Sequence, residues 1–345
     1  MDTFKSKLEQ ATHTPVFVKE SMSCHTSLRV GGPADYFTAV DNLEKLILSY
    51  RCACEMGIPV FVLGSGTNIL VGDKGIRGLV IKNNVSKIEV LGKIPFNLKR
   101  GNISRRQETH WRKGFLSSAD LRYEEDVKKG VLVEVFSGTL LSFLINQTLS
   151  NGITGLQWFS GIPGTIGGAV WNNIHGADYF FGDFLKSVSF IDKHFTIKEL
   201  SWEALNLKYN SSYFQNNSKI ILSAKLVFPL GDKKRALAVS REWLKRKSGQ
   251  PKNSAGCTFS NLTIVQAKKL NLENCGAGFV IDKILGLRGL KVGDAQISEN
   301  HANFIVAGGN VKAKDVARLI KIVQDKCEDK LGIRLKEEIV RVGEF

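Results

Sequence analysis

The chain has 345 residues, of which 43% are hydrophobic and 33 are glycines, and this length and composition fit a globular protein of two or three domains. No apolar run approaches the roughly 20 residues that a membrane-spanning helix needs, and the N-terminal segment lacks the apolar core of a secretory signal. Six cysteines without a CxxC pair or a framework spacing indicate reduced thiols, so we expect a cytoplasmic protein.

The formal net charge of +15 is compatible with a nucleic acid, a membrane surface or an anionic small molecule as the partner. The densest basic block covers residues 99–113, and we interpret residues 95–128 as a solvated loop insertion because the segment is polar and poor in aliphatic residues. RNA binding through this block is the alternative. Since the sequence has no zinc-ligand spacing and no nucleic-acid-binding signature, we expect no bound metal and no nucleic-acid partner. We also expect no membrane partner and a monomeric protein.

The first part of the chain combines a helix with short strands. Apolar side chains at helical spacing predict a helix over residues 42–56, and Gly57 is placed to end it. Short apolar runs predict strands over residues 59–63 and 78–82. The segment that joins these two strands is therefore a loop.

This loop begins with Gly64, Ser65, Gly66, Thr67 and Asn68. Two glycines allow successive backbone N–H groups to point inward, while the hydroxyl and amide side chains add further donors. The segment has neither the Gly-Lys-Ser/Thr of a Walker loop nor a GxGxxG fingerprint. The pattern is typical of an anion-binding loop, but a structural hairpin turn fits it as well.

The remaining chain predicts further strands and three longer helices. Strand patterns cover residues 88–92, 131–137, 185–192, 219–227 and 334–342, and helical patterns cover residues 140–151, 232–248 and 312–331. In the helix at 232–248 we expect Ala238, Trp243 and Leu244 on the inward face. The last helix has one apolar face, formed by Val316, Leu319, Ile320, Val323 and Cys327.

A second glycine-rich stretch covers residues 155–173, GLQWFSGIPGTIGGAVWNN. Four glycines surround Pro163, and almost nothing in the stretch is charged. Side chains are thus absent where the backbone must turn sharply or touch a flat ligand. Both a close-packed structural turn and a phosphate-binding loop fit this pattern.

Several motifs occur in one order along the chain: HTSLRVGGPAD, GSGTN, GIPGTIGGA, QPKNSAGC, GAGFVID, HANFIVAGG and a C-terminal glutamate. They cover about residues 24–343, with the basic insertion as the main interruption, and their order is far more specific than any single motif. On these motifs the chain resembles the UDP-N-acetylenolpyruvoylglucosamine reductases, which are flavin-dependent reductases of peptidoglycan precursor synthesis.

The resemblance implies an α+β architecture in which two subdomains form an FAD-binding fold of the vanillyl-alcohol-oxidase type. A C-terminal α/β domain then binds the substrate. We expect the first FAD-binding subdomain at residues 1–87, the second at 88–229 and the substrate-binding domain at 230–331. A C-terminal segment, 332–345, is expected to return to the active site.

The resemblance also implies FAD as the cofactor, NADPH as co-substrate and a UDP-sugar enolpyruvate as the substrate. It gives a cofactor role to residues 64–68 and to a second set, Pro163, Gly164, Thr165, Gly167, Gly168 and Ala169. General chemistry agrees, because a diphosphate favours unhindered N–H groups and a flat isoalloxazine ring favours backbone without Cβ atoms. The predicted substrate-binding residues are Tyr209, Ser212 and Asn303.

By the same resemblance, the proton donor of the family, a serine, corresponds to Cys257 in SAGC. With an unperturbed pKa of about 8.5, a thiol is a better acid than a hydroxyl. A small structural cysteine is the alternative interpretation. The C-terminal glutamate of the family corresponds to Glu338, and its neighbour Glu337 is the alternative if the match is one residue out.

The resemblance fails at one catalytic position, where Asn210 follows Tyr209 in place of an arginine. An amide donates a hydrogen bond but has no charge, so stabilisation of an enolate is weaker. Either another cation substitutes, or the enzyme is slow, or the chain is a catalytically impaired paralogue that still binds flavin or a UDP-sugar. The candidates for a substituting cation are Lys283, Arg288 and Lys291.

Overall fold

The computed structural model describes residues 3–96, 128–177, 179–216 and 219–345, so residues 97–127 of the predicted insertion lie outside the described part. Eight α-helices are described there: α1 (Thr3–Thr12), α2 (Leu43–Glu55), α3 (Leu141–Ser150), α4 (Ile166–Asn172), α5 (Lys233–Lys247), α6 (Ile264–Lys269), α7 (Ala277–Phe279) and α8 (Ala313–Leu331). The described strands of the first half are β1 (Phe17–Ser21), β2 (Pro33–Val40), β3 (Val60–Leu63), β4 (Ile69–Val71), β5 (Ile76–Asn83), β6 (Ile88–Pro95) and β7 (Lys129–Phe136). Those of the second half are β8 (His175–Gly176), β9 (Tyr179–Phe180), β10 (Leu185–Ile191), β11 (Ile197–Ser201), β12 (Ile220–Pro229), β13 (Lys291–Val292), β14 (Ala295–Ile297), β15 (Ile305–Ala307) and β16 (Val340–Val342).

The first sheet has the strand order β1-β2-β5-β3, in which β2, β5 and β3 are parallel. Helix α2 packs against it through buried side chains that include Leu46 and Ala53. The helix begins where predicted, because the Asn42 side chain accepts a hydrogen bond from the Lys45 backbone N–H at 2.9 Å. The carboxyl ends of β3 and β5 meet at one edge of this sheet, where ligands of parallel sheets commonly bind.

The second sheet is antiparallel, with the order β11-β10-β12-β7-β6. Its inward face contributes Val133, Val188 and Leu226, all fully buried. Leu144 of α3 and Val170 of α4 lie in the same apolar core. This packing fixes the glycine-rich stretch, which runs from α3 into α4, against the second sheet.

The third region contains the sheet β13-β14-β15 and the long helix α8. The five residues predicted for the apolar face of this helix are all buried, which confirms the prediction. Of the predicted strand at residues 334–342, only Val340–Val342 is a strand, and it pairs in parallel with β4 of the first region. Helix α5, predicted for the substrate-binding domain, contributes Ala236 and Val239 to the core of the second sheet, and the subdomain limits stay a prediction.

The inward face of α5 differs from the prediction. Of the predicted residues, Trp243 packs against the core, whereas Ala238 and Leu244 are exposed, and Ala236, Val239 and Ser240 are buried instead. The reason is a close approach to the turn at Leu156–Phe159, which small side chains permit, and the hydroxyls of Ser160 and Ser240 lie 2.7 Å apart there. No helix in the described ranges is long and apolar enough to cross a membrane.

Candidate active site

The loop at residues 64–68 leaves the carboxyl end of β3 and leads into β4. Gly66 has φ +66°, and a Cβ on it would lie 2.2 Å from the His25 carbonyl oxygen, so the turn requires glycine. The backbone N–H groups of residues 65–67 donate no hydrogen bond to any protein group in the described part. Three neighbouring unsatisfied donors make this loop suited to an anion.

The second glycine-rich stretch lies directly against this loop. A Cβ on Gly64 would be 2.5 Å from Thr165 Oγ1, and Thr67 Oγ1 donates a 3.4 Å hydrogen bond to the Pro163 carbonyl. Thr165 is also the N-cap of α4, where its hydroxyl accepts from the Gly168 N–H at 3.4 Å. The two loops predicted to bind the cofactor therefore form one surface.

The glycines of the second stretch serve two different purposes. A Cβ on Gly167 would lie 3.1 Å from the Ser137 carbonyl oxygen, so this glycine is needed for packing. Gly164, at φ +143°, and Gly168 face open space, since a Cβ on either would have one neighbour within 4 Å, at 3.8 and 3.7 Å respectively. The structural and the ligand-binding interpretations thus apply to different glycines, and the bare backbone at Gly164 and Gly168 is accessible to a flat ligand.

The C-terminal segment places Glu338 beside the loop at residues 64–68. The Val340 N–H donates to the Asn68 carbonyl at 2.9 Å, and Asn68 Nδ2 donates to the Glu338 carbonyl at 3.3 Å. Asn68, predicted to contact the cofactor, therefore also holds the C-terminal segment in place. Glu338 lies 270 residues after Asn68 in the sequence, but its backbone carbonyl is hydrogen-bonded directly to this loop residue.

The segment that contains Cys257 is fixed between Asn303 and the same C-terminal segment. Asn303 accepts from the Phe259 N–H at 2.9 Å and donates to the Phe259 carbonyl at 2.8 Å. The Glu338 N–H donates to the Thr258 carbonyl at 2.8 Å. Asn303, predicted to bind substrate, is thus a positioning residue for the segment, and Cys257 and Glu338 lie side by side.

Burial, and to a lesser extent the neighbouring Glu338, raise the pKa of the Cys257 thiol to about 12, although a hydrogen bond from Asn303 and the charge of Lys247 oppose the rise. The Cys257 side chain is partly accessible to solvent, although protein surrounds it on most sides. The thiol therefore keeps its proton at neutral pH and is available as a proton donor rather than as a thiolate nucleophile.

Burial also raises the pKa of Glu338, to about 7, and the nearby Asn210 amide partly offsets the rise. Glu338 therefore gains or loses its proton near neutral pH, well above the usual range of a glutamate. Both polar side-chain atoms of Asn210 are buried without a hydrogen bond of normal geometry to any described residue. An unsatisfied buried amide beside a carboxyl group is an arrangement that a bound polar ligand would complete.

Asn210 lies in a tight turn closed by two backbone hydrogen bonds between Lys208 and Ser211, of 3.0 and 3.2 Å. Its φ of +51° is one that asparagine tolerates better than most other side chains. The Tyr209 ring lies against His175, with centroids 5.1 Å apart. Ser212, predicted to bind substrate, donates a 2.7 Å hydrogen bond to the Trp171 carbonyl and so anchors the turn to α4.

The cations named as substitutes for the arginine lie elsewhere. Arg288 and Lys283 both pair with Asp282, and Lys291 is exposed in β13. Lys247, the last residue of α5, was not predicted from the sequence, yet its charge acts on the Cys257 thiol and its side chain packs on Gly161. The sequence feature that could have indicated Lys247 is its position at the end of a basic helix, just before QPKNSAGC. No group of three or more potential metal ligands occurs in the residues that the structure describes.

Comparison with known proteins gives consistent results over nearly the whole chain. A family model described as UDP-N-acetylenolpyruvoylglucosamine reductase, C-terminal domain, matches residues 250–342. The reductase of that name from Clostridium tetani is 33% identical over 346 residues, which covers 99% of this chain and 97% of the relative. The one from Agathobacter rectalis is also 33% identical and covers 99% and 98%.

The crystal structure of the reductase from Thermus caldophilus matches with a TM-score of 0.68 and 28% sequence identity, covering 95% of this chain and 98% of that chain. The shared fold and the mixture of helices and sheets confirm the predicted α+β class. From the identity and coverage of these relatives, the chain belongs to the UDP-N-acetylenolpyruvoylglucosamine reductase family.

Proposed function

We propose that this chain reduces UDP-N-acetylenolpyruvoylglucosamine to UDP-N-acetylmuramate, with FAD as the cofactor and NADPH as the reductant. The family to which the chain belongs supports the reaction class. The observation that carries the proposal for this chain is the pairing of β16 with β4, which brings Glu338 and Cys257 next to the two glycine-rich loops. Groups for cofactor binding and for proton transfer are thus adjacent.

The residues of the two loops fit a flavin dinucleotide. The free N–H groups of residues 65–67 would hold the diphosphate, and the accessible backbone at Gly164 and Gly168 would lie against the ring system. Gly164 and Gly168 have no Cβ atoms that would block a flat ring. When bound, the flavin supplies the hydride-transfer chemistry, and the protein supplies orientation and electrostatics.

The reaction adds one hydride and one proton across the carbon–carbon double bond of the enolpyruvyl group. The hydride goes to the β-carbon, so negative charge develops on the α-carbon and its carboxylate as an enolate. The proton then goes to the α-carbon and completes the lactyl ether. Protein groups that donate a proton or hydrogen bonds near that carboxylate lower the barrier.

We assign the proton donor to Cys257, because its thiol remains protonated at neutral pH. Glu338 in its protonated form donates a hydrogen bond to the enolate, and Asn210 donates a second through its unsatisfied amide. Lys247 supplies the positive charge that Asn210 does not. Tyr209 is the proposed substrate contact, while Ser212 and Asn303 position the segments around it.

The proposal is tested by incubating the purified protein with NADPH and UDP-N-acetylenolpyruvoylglucosamine and following NADPH absorbance. We expect turnover and a product heavier than the substrate by two hydrogens in mass spectrometry. A protein that binds FAD but forms no product would instead support the catalytically impaired paralogue, for which the uncharged Asn210 is the specific reason. A protein that does not bind FAD at all would overturn both.

A further inference from the structure

Lys82 lies at the carboxyl end of β5, the middle strand of the parallel part of the first sheet. It is paired in register with Leu63, the last residue of β3, and with Ala39 of β2. The loop at residues 64–68 begins directly after Leu63. The side chain of Lys82 is therefore at the sheet edge where this loop leaves, although the sequence motifs do not include it.

The ammonium group of Lys82 is held at the loop by one contact. Its Nζ donates a hydrogen bond to the Gly64 carbonyl, the residue whose Cα packs against Thr165 of the second loop. The contact places a positive charge where the two glycine-rich loops meet. It also lies beside the N–H groups of residues 65–67, which have no protein acceptor in the described part.

Other cations of the same region have carboxylate partners. Lys19 and Arg77 both pair with Asp35, at 2.6 and 2.8 Å, on the exposed surface. Lys82 is partly buried, and among the described residues no carboxylate lies within ion-pair distance of it. Burial alone shifts its pKa downward, with no acidic neighbour to oppose the shift. A desolvated cation without an anion is unfavourable, so this position is one that a bound anion would stabilise.

We propose that Lys82 binds the diphosphate of the dinucleotide cofactor, together with the N–H groups of the loop at residues 64–68. This inference rests on the flavin dinucleotide of the proposed function. A diphosphate carries two negative charges and several acceptor oxygens, which match one ammonium and three adjacent N–H donors. Contacts between lysine and phosphate depend on charge, so the interaction weakens as salt increases.

The test compares Lys82→Met, Lys82→Gln and Lys82→Arg with the exposed control Lys74→Met in the full chain freed of flavin. Dissociation constants for FAD, ADP and riboflavin are measured by calorimetric titration at low and high salt. We expect Lys82→Met and Lys82→Gln to weaken FAD and ADP by about 10- to 100-fold, the range for a charge-assisted hydrogen bond, and to leave riboflavin unchanged. Lys82→Arg and Lys74→Met should bind FAD nearly as the unmodified chain does, and the salt dependence should fall in the two neutral variants.

Equal losses for FAD and riboflavin would overturn the inference, because they would show that Lys82 only maintains the loop. Unchanged FAD binding in the neutral variants would also overturn it. If circular dichroism shows that a variant is unfolded, the unmodified chain provides the test. Inorganic diphosphate must then compete with FAD for binding in a salt-dependent way, and failure to compete contradicts the proposal. An unmodified chain that binds ADP but not FAD would leave the anion site intact and overturn the flavin assignment instead.

Discussion

The two glycine-rich loops and the Cys257–Glu338 pair are adjacent but are built differently. The loops consist mainly of backbone, and each is continuous in sequence over a few residues. The pair depends on side chains from segments 81 residues apart, which the parallel pairing of β16 with β4 and the hydrogen bonds of Asn303 bring together. A backbone site is thus formed locally, whereas the proton-transfer site exists only when the third region is folded onto the first.

This difference predicts different responses to substitution. A change in the loops should affect cofactor affinity with little effect on the proton-transfer step. A change at Cys257 or Glu338 should affect reaction with the substrate while flavin binding and reduction by NADPH continue.

The largest effect is expected for Cys257→Ala, which removes the proton donor. Oxidation of the reduced flavin by the substrate should slow by about 10²–10⁴-fold, the usual contribution of a positioned general acid. Reduction by NADPH and FAD affinity should not change. Rapid-mixing absorbance on both half-reactions measures this, and Cys257→Ser is the matched control that retains a donor. Equal rates in Cys257→Ala and the unmodified chain would mean that the thiol is structural.

Gly168→Ala tests the loops with the opposite pattern. Alanine is the better helix former, so α4 should become more stable, but the new Cβ points into the open space proposed for the flavin. An overpacked contact of about 1–3 kcal/mol should weaken FAD binding by about 10- to 100-fold. Calorimetry with FAD checks the affinity, and Gly309→Ala, where a Cβ meets nothing within 4 Å, is the control. Unchanged FAD affinity in Gly168→Ala would show that Gly168 has only a structural role.

Asn210→Arg should introduce the charge that the resemblance implies at this position. We expect reaction with the substrate to become about 10-fold faster, since charged donors stabilise an enolate better than amides do. The new cation should also lower the pKa of Glu338 and move the pH profile to lower pH. The positive φ should reduce stability by about 1–2 kcal/mol. Asn210→Gln, which is longer but neutral, is the control, and a gain in both variants would exclude charge as the cause.

The smallest effect concerns stability. Because the folded pKa of Glu338 is raised to about 7, its contribution to stability is complete below its unfolded value of about 4.3 and is lost as pH rises through about 7. Glu338→Gln removes this dependence. Its Tm should lie close to that of the unmodified chain at pH 4 and exceed it by several degrees at pH 8, where the unmodified chain holds a buried charge. Scanning calorimetry at both pH values checks this. Equal Tm values for Glu338→Gln and the unmodified chain at pH 8 would contradict the burial of the Glu338 carboxylate.

The sequence predicted the regular elements and the glycine loops well, since both depend on local patterns. Residues 42–56 and 312–331 matched helices to within one residue at each end. The face of α5 was mispredicted because the small residues Ala236 and Ser240 are buried by close approach, which hydrophobicity does not indicate.

The contacts of the candidate site were less predictable. Motif order placed Cys257 and Glu338 in one site, but spacing alone does not reveal that Asn68 holds the C-terminal segment or that Asn303 holds the Cys257 segment. Lys82 and Lys247 carry no motif, and their positions depend on sheet register and on the packing of α5. Long-range pairing determines such contacts, and a single sequence does not encode it in a readable pattern.

One flavin, held by the two loops, should be reduced by NADPH and then reoxidised by a substrate that receives its proton from Cys257. Anaerobic stopped-flow absorbance follows both steps in one experiment. NADPH should bleach the flavin band, and UDP-N-acetylenolpyruvoylglucosamine should then restore it, with the second step faster below pH 7, where Glu338 is protonated. Bleaching without recovery at any pH would contradict the claim.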